Sequence, residues 1–246
     1  MASGTTELIV ALDYSTTAEA DQLVRTLAGV PVLFKVGSEL FLTGGPDFVR
    51  KLIGGDHRVF LDLKFHDIPN TVAKAAAQAA LMGVDMFTLH ASGGRAMIAA
   101  VVQEFAKLPR EAKRPKILGV SVLTSFSPAE WTETCLAINP FASKVSEIEG
   151  SVLSLAGAGA KWGLDGLVCS AHELRRAREV APSLYTVIPG IRPAGSTAQD
   201  QARVMTPLEA QAAGANAIVV GRPITQAKDP KAATLEILKE LGSTSP

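Results

Sequence analysis

Eight short runs rich in Val, Ile, Leu and Phe recur along this chain, each followed by a longer stretch carrying Ala, Leu and charge in a helical pattern. The runs are Leu8 to Leu12, Leu33 to Val36, Val59 to Leu63, Met86 to Leu89, Ile117 to Val122, Gly166 to Val168, Tyr185 to Ile188 and Ala217 to Val220. Unbroken apolar runs suit parallel strands covered on both faces, since a strand with one wet face alternates instead. Eight βα units in 246 residues predict a closed (β/α)8 barrel of the α/β class, the TIM barrel architecture. A doubly wound sheet uses fewer strands.

Helix punctuation agrees with this reading. Ser15-Thr16-Thr17 precedes Ala18-Glu19, Pro69-Asn70-Thr71 opens an Ala-rich run to Met82, and Gly83 stands where a helix C-cap belongs. Over 40 residues separate the fifth and sixth strands, and Ser127-Pro128-Ala129-Glu130 and Ser146 to Lys161 predict extra helix there. With no linker, low-complexity block or shift in composition, one domain spanning residues 1–246 is expected, its weak internal period being the βα repeat itself.

Composition removes several function classes. Hydrophobic residues at 47% and charged residues at 20% suit a large core and not disorder. Lys plus Arg equals Asp plus Glu at 24 each, so no net field draws the molecule to nucleic acid or anionic lipid, and any anion site must be local. The longest stretch without charge is the 13 positions from Ile117 to Ala129. That is short of the roughly 20 apolar residues of a spanning helix. No basic residue precedes Arg25, so no secretory leader is visible and a cytoplasmic location is expected. Cys135 and Cys169 lie 34 positions apart without CxxC spacing, which argues for two small hydrophobes over a zinc site or disulfide framework.

Barrel enzymes carry their chemistry at the C-terminal ends of the strands. The polar residues that end the apolar runs here are Asp13, Lys35, Asp62 with Lys64, His90, Thr124 with Ser125, Ser170, Pro189-Gly190-Ile191-Arg192 and Gly221-Arg222. Asp62 and Lys64 are two apart, hence on one strand face pointing inward. Alternation of Asp62, Lys64 and Asp67 offers pairing that keeps the lysine protonated and both carboxylates ionised, with Lys35 extending the network from the neighbouring strand. The same pattern also fits a salt-bridge cluster that merely closes the mouth. At the end of the chain a strand, Gly221 and Arg222 lead into a helix, and Arg192 after strand seven adds a second cation. Phosphate fits such a pair of loops better than the alternative, a C-capping glycine beside a solvated arginine, because both loops agree.

Seven segments occur together in this order: Ile9-Val10-Ala11-Leu12-Asp13, Phe34-Lys35-Val36-Gly37, the stretch Phe60 to Thr71, Val122-Leu123-Thr124-Ser125, Val187 to Pro193, Asp200-Gln201-Ala202-Arg203-Val204 and Val219-Val220-Gly221-Arg222-Pro223. Over nearly the whole chain they resemble the orotidine 5′-phosphate decarboxylases of the bacterial type. The resemblance implies conversion of orotidine 5′-monophosphate to uridine 5′-monophosphate and CO2, the last step of de novo pyrimidine nucleotide synthesis, without metal or organic cofactor. It implies Lys64 as proton donor to C6 of the pyrimidine, Asp62 beside the scissile carboxylate and Lys35 bridging Asp62 and the ribose. Asp67 and Thr71 are implied to reach the partner's active site, hence a homodimer. Asp13 resembles the ribose-binding residue and Thr124 the residue near the pyrimidine. Arg192, Gln201, Gly221 and Arg222 resemble the phosphate-gripping set, with Pro189 also in the substrate site. The segment Pro193-Ala194-Gly195-Ser196-Thr197 reads as a lid.

Two other readings compete. Sugar-phosphate decarboxylases and aldolases of the same superfamily share the Asp-x-Lys-x-x-Asp pattern but use Mg2+. In those relatives a glutamate stands after strand two, where an ammonium such as Lys35 would repel the metal. A non-catalytic barrel that only binds a phosphorylated ligand would gain nothing from two carboxylates near a substrate carboxylate. His57, His66, His90 and His172 show no ligand spacing, and His66 and His90 read as shaping residues at the mouth.

Overall fold

The computed structural model describes residues 5–139, 147–193 and 205–242. The strands are β1 (Glu7–Ala11), β2 (Leu33–Gly37), β3 (Arg58–Phe65), β4 (Met86–His90), β5 (Lys116–Val120), β6 (Gly166–Val168), β7 (Tyr185–Ile188) and β8 (Ala217–Val220). They follow one another in chain order around a closed barrel, all neighbours parallel. The ring closes where β1 pairs with β8, Leu8 opposite Ile218 and Ile9 opposite Val219. The (β/α)8 expectation therefore holds, and each expected strand lies within two residues of its observed bounds.

The helices are α1 (Thr17–Thr26), α2 (Ser38–Gly54), α3 (Pro69–Met82), α4 (Gly94–Phe105), α5 (Pro128–Ile138), α6 (Ile148–Trp162), α7 (Leu174–Val180), α8 (Pro207–Ala212), α9 (Arg222–Thr225) and α10 (Pro230–Glu240). Thr16 caps α1 by accepting from the backbone N–H of Glu19, and Gly83 ends α3 in the left-handed region at φ 90°. The extra helix between β5 and β6 is α5, opened by Ser127 and Glu130 in a reciprocal capping box, with α6 following it.

Period-two alternation divides the buried residues into two layers. Ile9, Ala11, Leu33, Phe60, Met86, Leu118, Val187, Ala217 and Val219 fill the inside of the barrel, while the larger cluster, including Leu8, Val10, Phe34, Leu61 and Phe87, packs between the strands and the helices. This inward set is apolar throughout. Continuing the same alternation outward from Ala11, Leu33, Phe60, Met86, Val187 and Val219 gives Asp13, Lys35, Asp62, Thr88, Pro189 and Gly221. The same alternation carried the other way reaches Glu7, Arg58, Lys116 and Tyr185, where Glu7 pairs with Arg58 and accepts from the Tyr185 hydroxyl, so the packed interior turns polar at both ends.

The opposite end is held by a repeated clamp. Asp85, just before β4, donates its N–H to the carbonyl of Val59 at 2.8 Å and accepts the N–H of Val59 on its Oδ2 at 2.9 Å. Asp165 makes the same two bonds with Ile117 at 3.0 and 2.8 Å, and Asn216 makes them with Thr186 at 3.1 and 2.9 Å. A cation grips each clamp from outside: Arg58 and Lys113 on Asp85, Arg114 on Asp165, Arg178 on Asn216. Each clamp satisfies the N–H of a strand's second residue, which would otherwise be orphaned near the barrel floor.

Replacing Asp165 with Ala would leave the N–H of the fully buried Ile117 without its side-chain partner, a loss of about 1–3 kcal/mol. The melting midpoint of Asp165→Ala is expected to fall by roughly 2–4 °C per kcal/mol, and Asp165→Asn, which keeps the acceptor, should recover most of that loss. Equal midpoints for the two variants in a calorimetric scan would show that the clamp contributes nothing.

Candidate active site

At the C-terminal end of the barrel four charged side chains form a chain of alternating sign. Lys35 Nζ lies 2.9 Å from Asp13 Oδ1 and 3.8 Å from Asp62 Oδ2, and Lys64 Nζ lies 3.0 Å from each oxygen of Asp62. The middle of the chain is buried and its two ends are open, with 11% and 13% side-chain exposure at Lys35 and Asp62 against 39% at Lys64 and 58% at Asp13. Two buried charges are thereby paired and two exposed ones face the opening. Gly37 makes room for this arrangement, since a Cβ there would sit 3.2 Å from Lys35 Nζ, and a Cβ at Gly221 would meet Asp13 Oδ2 at 3.4 Å.

Within this chain the expected alternation of Asp62, Lys64 and Asp67 does not form. Asp67 has left the strand: it is exposed, it makes no ion pair among the described residues, and its Oδ1 accepts the N–H of Ile68 at 2.6 Å ahead of α3. The alternation runs instead from Lys64 back through Asp62 and Lys35 to Asp13. Thr71 is likewise exposed, and neither it nor Asp67 lines the cavity beside Lys64.

Lys64 reaches Asp62 by a route that regular strand geometry does not supply. Phe60 pairs with Met86 and Leu61 with Phe87, but the next pair is Phe65 with Leu89. Three residues, Asp62, Leu63 and Lys64, therefore bulge opposite the single residue Thr88, and Lys64 takes a left-handed backbone at φ 51°. Thr88 fills the break. Its Oγ1 accepts the Lys64 N–H at 2.9 Å and donates to Asp62 Oδ1 at 2.8 Å. Sequence reasoning passed over Thr88; the signal was a hydroxyl two residues beyond inward Met86, where the face of β4 turns polar.

Below this cluster lies a cavity of about 170 Å³ whose rim carries Lys35, Asp62, Lys64 and Thr124. Its walls are Phe60, Val120, Val168, Val187, Val219, Pro189 and Cys169. The site can hold a flat, partly apolar group against a preorganised ammonium. Cys169 is inert there, its thiol pushed up to about 12 by burial and by nearby Glu173. A larger recess of about 580 Å³ opens at the other end of the barrel, but its cation Arg58 is already engaged by Glu7 and Asp85.

The loops assigned to phosphate frame the same mouth. Arg192 is buried behind β7 and donates from Nη1 to the carbonyl of Ile191 at 3.0 Å, and Arg222 opens α9 after Gly221. Gln201 and residues 194–197 of the expected lid lie outside the described residues. Among the described residues no cluster of three or more His, Cys, Asp or Glu side chains could hold a metal ion, and no helix is long and apolar enough to cross a membrane.

Comparison with known proteins converges on one family. The model of the orotidine 5′-phosphate decarboxylase / HUMPS family matches residues 6–237. Orotidine 5′-phosphate decarboxylase of Idiomarina loihiensis is 46% identical over 237 residues, covering 96% of this chain and 98% of the relative. That of Pseudomonas putida is 44% identical over 241 residues, covering 98% and 99%. The crystal structure of orotidine 5′-phosphate decarboxylase from Lactobacillus acidophilus superposes with a TM-score of 0.81 at 38% identity, covering 96% of this chain and 99% of that one.

Beside the cluster, His66 and His90 pack with ring centroids 5.3 Å apart and planes tilted by 34°. Burial, then the neighbouring His66 and Lys64, hold His90 below the ordinary imidazole value of 6.5, against the pull of Asp62. The folded protein therefore keeps His90 neutral where the unfolded chain would protonate it. The stability this contributes is complete above pH 6.5 and is lost as pH falls from there through the lowered folded value. Between about pH 7.5 and about pH 5, the melting midpoint of the wild type should fall more steeply than that of His90→Phe. Parallel slopes would show that His90 carries none of the acid sensitivity.

Proposed function

Since this chain belongs to the orotidine 5′-phosphate decarboxylase / HUMPS family, we infer that it converts orotidine 5′-monophosphate to uridine 5′-monophosphate and CO2, the last step of de novo pyrimidine nucleotide synthesis. The observation that carries the reading is the ammonium of Lys64, held 3.0 Å from both oxygens of Asp62 at the rim of an apolar cavity.

The chemistry asks for that arrangement. When the bond between C6 and the carboxylate breaks, its electron pair stays on C6 as CO2 leaves, and no adjacent carbonyl delocalises it well. A fixed ammonium beside C6 stabilises the growing negative charge without having to reorganise, then transfers its proton to C6 and is reprotonated from water. Asp62 orients the ammonium and stands beside the scissile carboxylate, whose charge disappears with CO2. The valine-lined cavity suits a departing apolar molecule. Lys35 bridges Asp62 and the ribose, Asp13 takes a ribose hydroxyl, and Thr124 and Pro189 flank the pyrimidine. Arg192, Gln201, Gly221 and Arg222 hold the phosphate, whose binding energy, remote from C6, can be used to order the site.

Lys35 also argues against the Mg2+-dependent sugar-phosphate chemistry of the wider superfamily. A divalent ion on Asp62 would face the two ammonium groups of Lys35 and Lys64, both within 3.8 Å of that carboxylate. Reaction without metal or organic cofactor follows as part of the proposal. So does a homodimer in which Asp67 and Thr71 act in the partner's site. Their exposure, beside Ile68 at 67% exposed, leaves them available for it. Residues 1–246 act as one barrel domain in the cytoplasm, with no nucleic acid or membrane partner.

Purified protein is expected to deplete orotidine 5′-monophosphate, followed by ultraviolet absorbance, with excess EDTA present. Lys64→Ala should lower the rate at least about a thousandfold, because stabilisation and proton delivery go together. A silent wild type, or one that needs Mg2+, would overturn the reading. Lys64→Ala and Asp67→Ala should each be inactive alone, whereas an equal mixture after subunit exchange should regain about a quarter of wild-type activity, since half the dimers then carry one intact shared site. No recovery despite demonstrated exchange would place Asp67 within its own protomer's function.

A further inference from the structure

We propose that Thr88 is a positioning residue for Lys64 and Asp62, its hydroxyl replacing the strand pairing that the bulge in β3 removes. The assignment rests on the decarboxylase reading given above. The register leaves Asp62, Leu63 and Lys64 opposite Thr88 alone, so the N–H of Lys64 has no place in the β3–β4 ladder. Thr88 Oγ1 accepts that N–H at 2.9 Å, and with its own proton it holds Asp62 Oδ1 at 2.8 Å. A hydroxyl has one proton to give and lone pairs to receive with. Here both uses are directed at the two residues that face the reacting carbon.

Three features separate this from an ordinary buried threonine. Such a residue would satisfy its hydroxyl on a carbonyl of its own sheet, but Thr88, at 1% exposure, sends its proton to a carboxylate on the neighbouring strand. Its backbone is fixed from the other side, where Thr88 pairs with Leu118 of β5 in a regular ladder, so the hydroxyl is presented from a rigid base. Most directly, Lys64 sits at φ 51°, a backbone state that residues bearing a Cβ rarely adopt and that persists only where neighbours hold it. The Thr88 bond lands on the amide of that same residue. One side chain thus fixes both the backbone that aims the ammonium and the carboxylate that orients it.

Loss of the hydroxyl should loosen the geometry of the reacting pair while leaving nucleotide binding intact. Thr88→Val keeps the volume and branching of the side chain, and it is expected to lower kcat for orotidine 5′-monophosphate about ten- to hundredfold, with KM changed less than about threefold. Thr88→Ser, which restores donor and acceptor, should return kcat to within about threefold of wild type. Calorimetric binding of uridine 5′-monophosphate should stay within about threefold in all variants, because a purely structural defect would weaken it along with turnover. Thr88→Ala serves the same comparison should the valine variant fail to fold.

Wild-type kcat in Thr88→Val, equal damage in Thr88→Ser, or a rise in KM at unchanged kcat would each overturn the assignment. Wild-type protein assayed alongside separates the two levels of inference. If it leaves orotidine 5′-monophosphate untouched, the functional reading fails and this assignment with it, whereas an active wild type matched by an active Thr88→Val defeats the positioning role alone.

Discussion

An ionised side chain pointing into a packed barrel must find a partner or force the packing open, because an isolated charge in a low-dielectric interior costs more than the fold can offset. That constraint shapes this molecule. Ile9, Leu33, Phe60, Met86 and Val219 fill the middle of the barrel, Glu7 and Arg58 pair at its floor, and charge begins again at the opposite rim. There it comes as a connected chain, Asp13 to Lys35 to Asp62 to Lys64, whose formal charges cancel. Removing any member uncovers its neighbour. The arrangement that keeps the barrel folded is the same one that presents an oriented ammonium to a ligand.

The second cost is conformational. A lysine with positive φ, in a strand that gives up its register to place it, is less stable locally than a regular strand would be. Alternation along an ideal β3 would also point Asp62 and Lys64 inward. The bulge changes the relation between them, bringing the ammonium back onto both oxygens of the carboxylate two residues earlier. Neighbouring features accept this distortion: Gly37 gives space to the Lys35 ammonium, and β4 contributes a hydroxyl where a ladder bond is missing.

Most of the architecture was legible in the residues because parallel strands buried on both faces have few ways to be written. All eight apolar runs became strands, and Thr16, Ser127 and Gly83 marked helix ends as their chemistry requires. Of the rim residues, Asp13, Lys35, Asp62 and Lys64 come together through strand parity, and Thr124 and Pro189 through the ends of their runs. Within one chain Asp67 does not meet Lys64, because the backbone turns outward after Phe65, and sequence spacing alone does not show that turn. Thr88 went unnoticed for a related reason. A hydroxyl inside an apolar run looks like a tolerated strand former until the register of the next strand shows what stands opposite it.

The clamps at the far end of the barrel carry an implication of another kind. Asp85, Asp165 and Asn216 each fasten a strand to the one before it, joining β3 to β4, β5 to β6 and β7 to β8. Each interface between successive pairs is bridged by the backbone ladder without such a side chain. Three of the four successive strand pairs are therefore fastened, the pair of β1 and β2 having no such clamp among the described residues, and the boundaries between pairs are natural seams. A circularly permuted chain opened at one of those seams would keep every clamp whole.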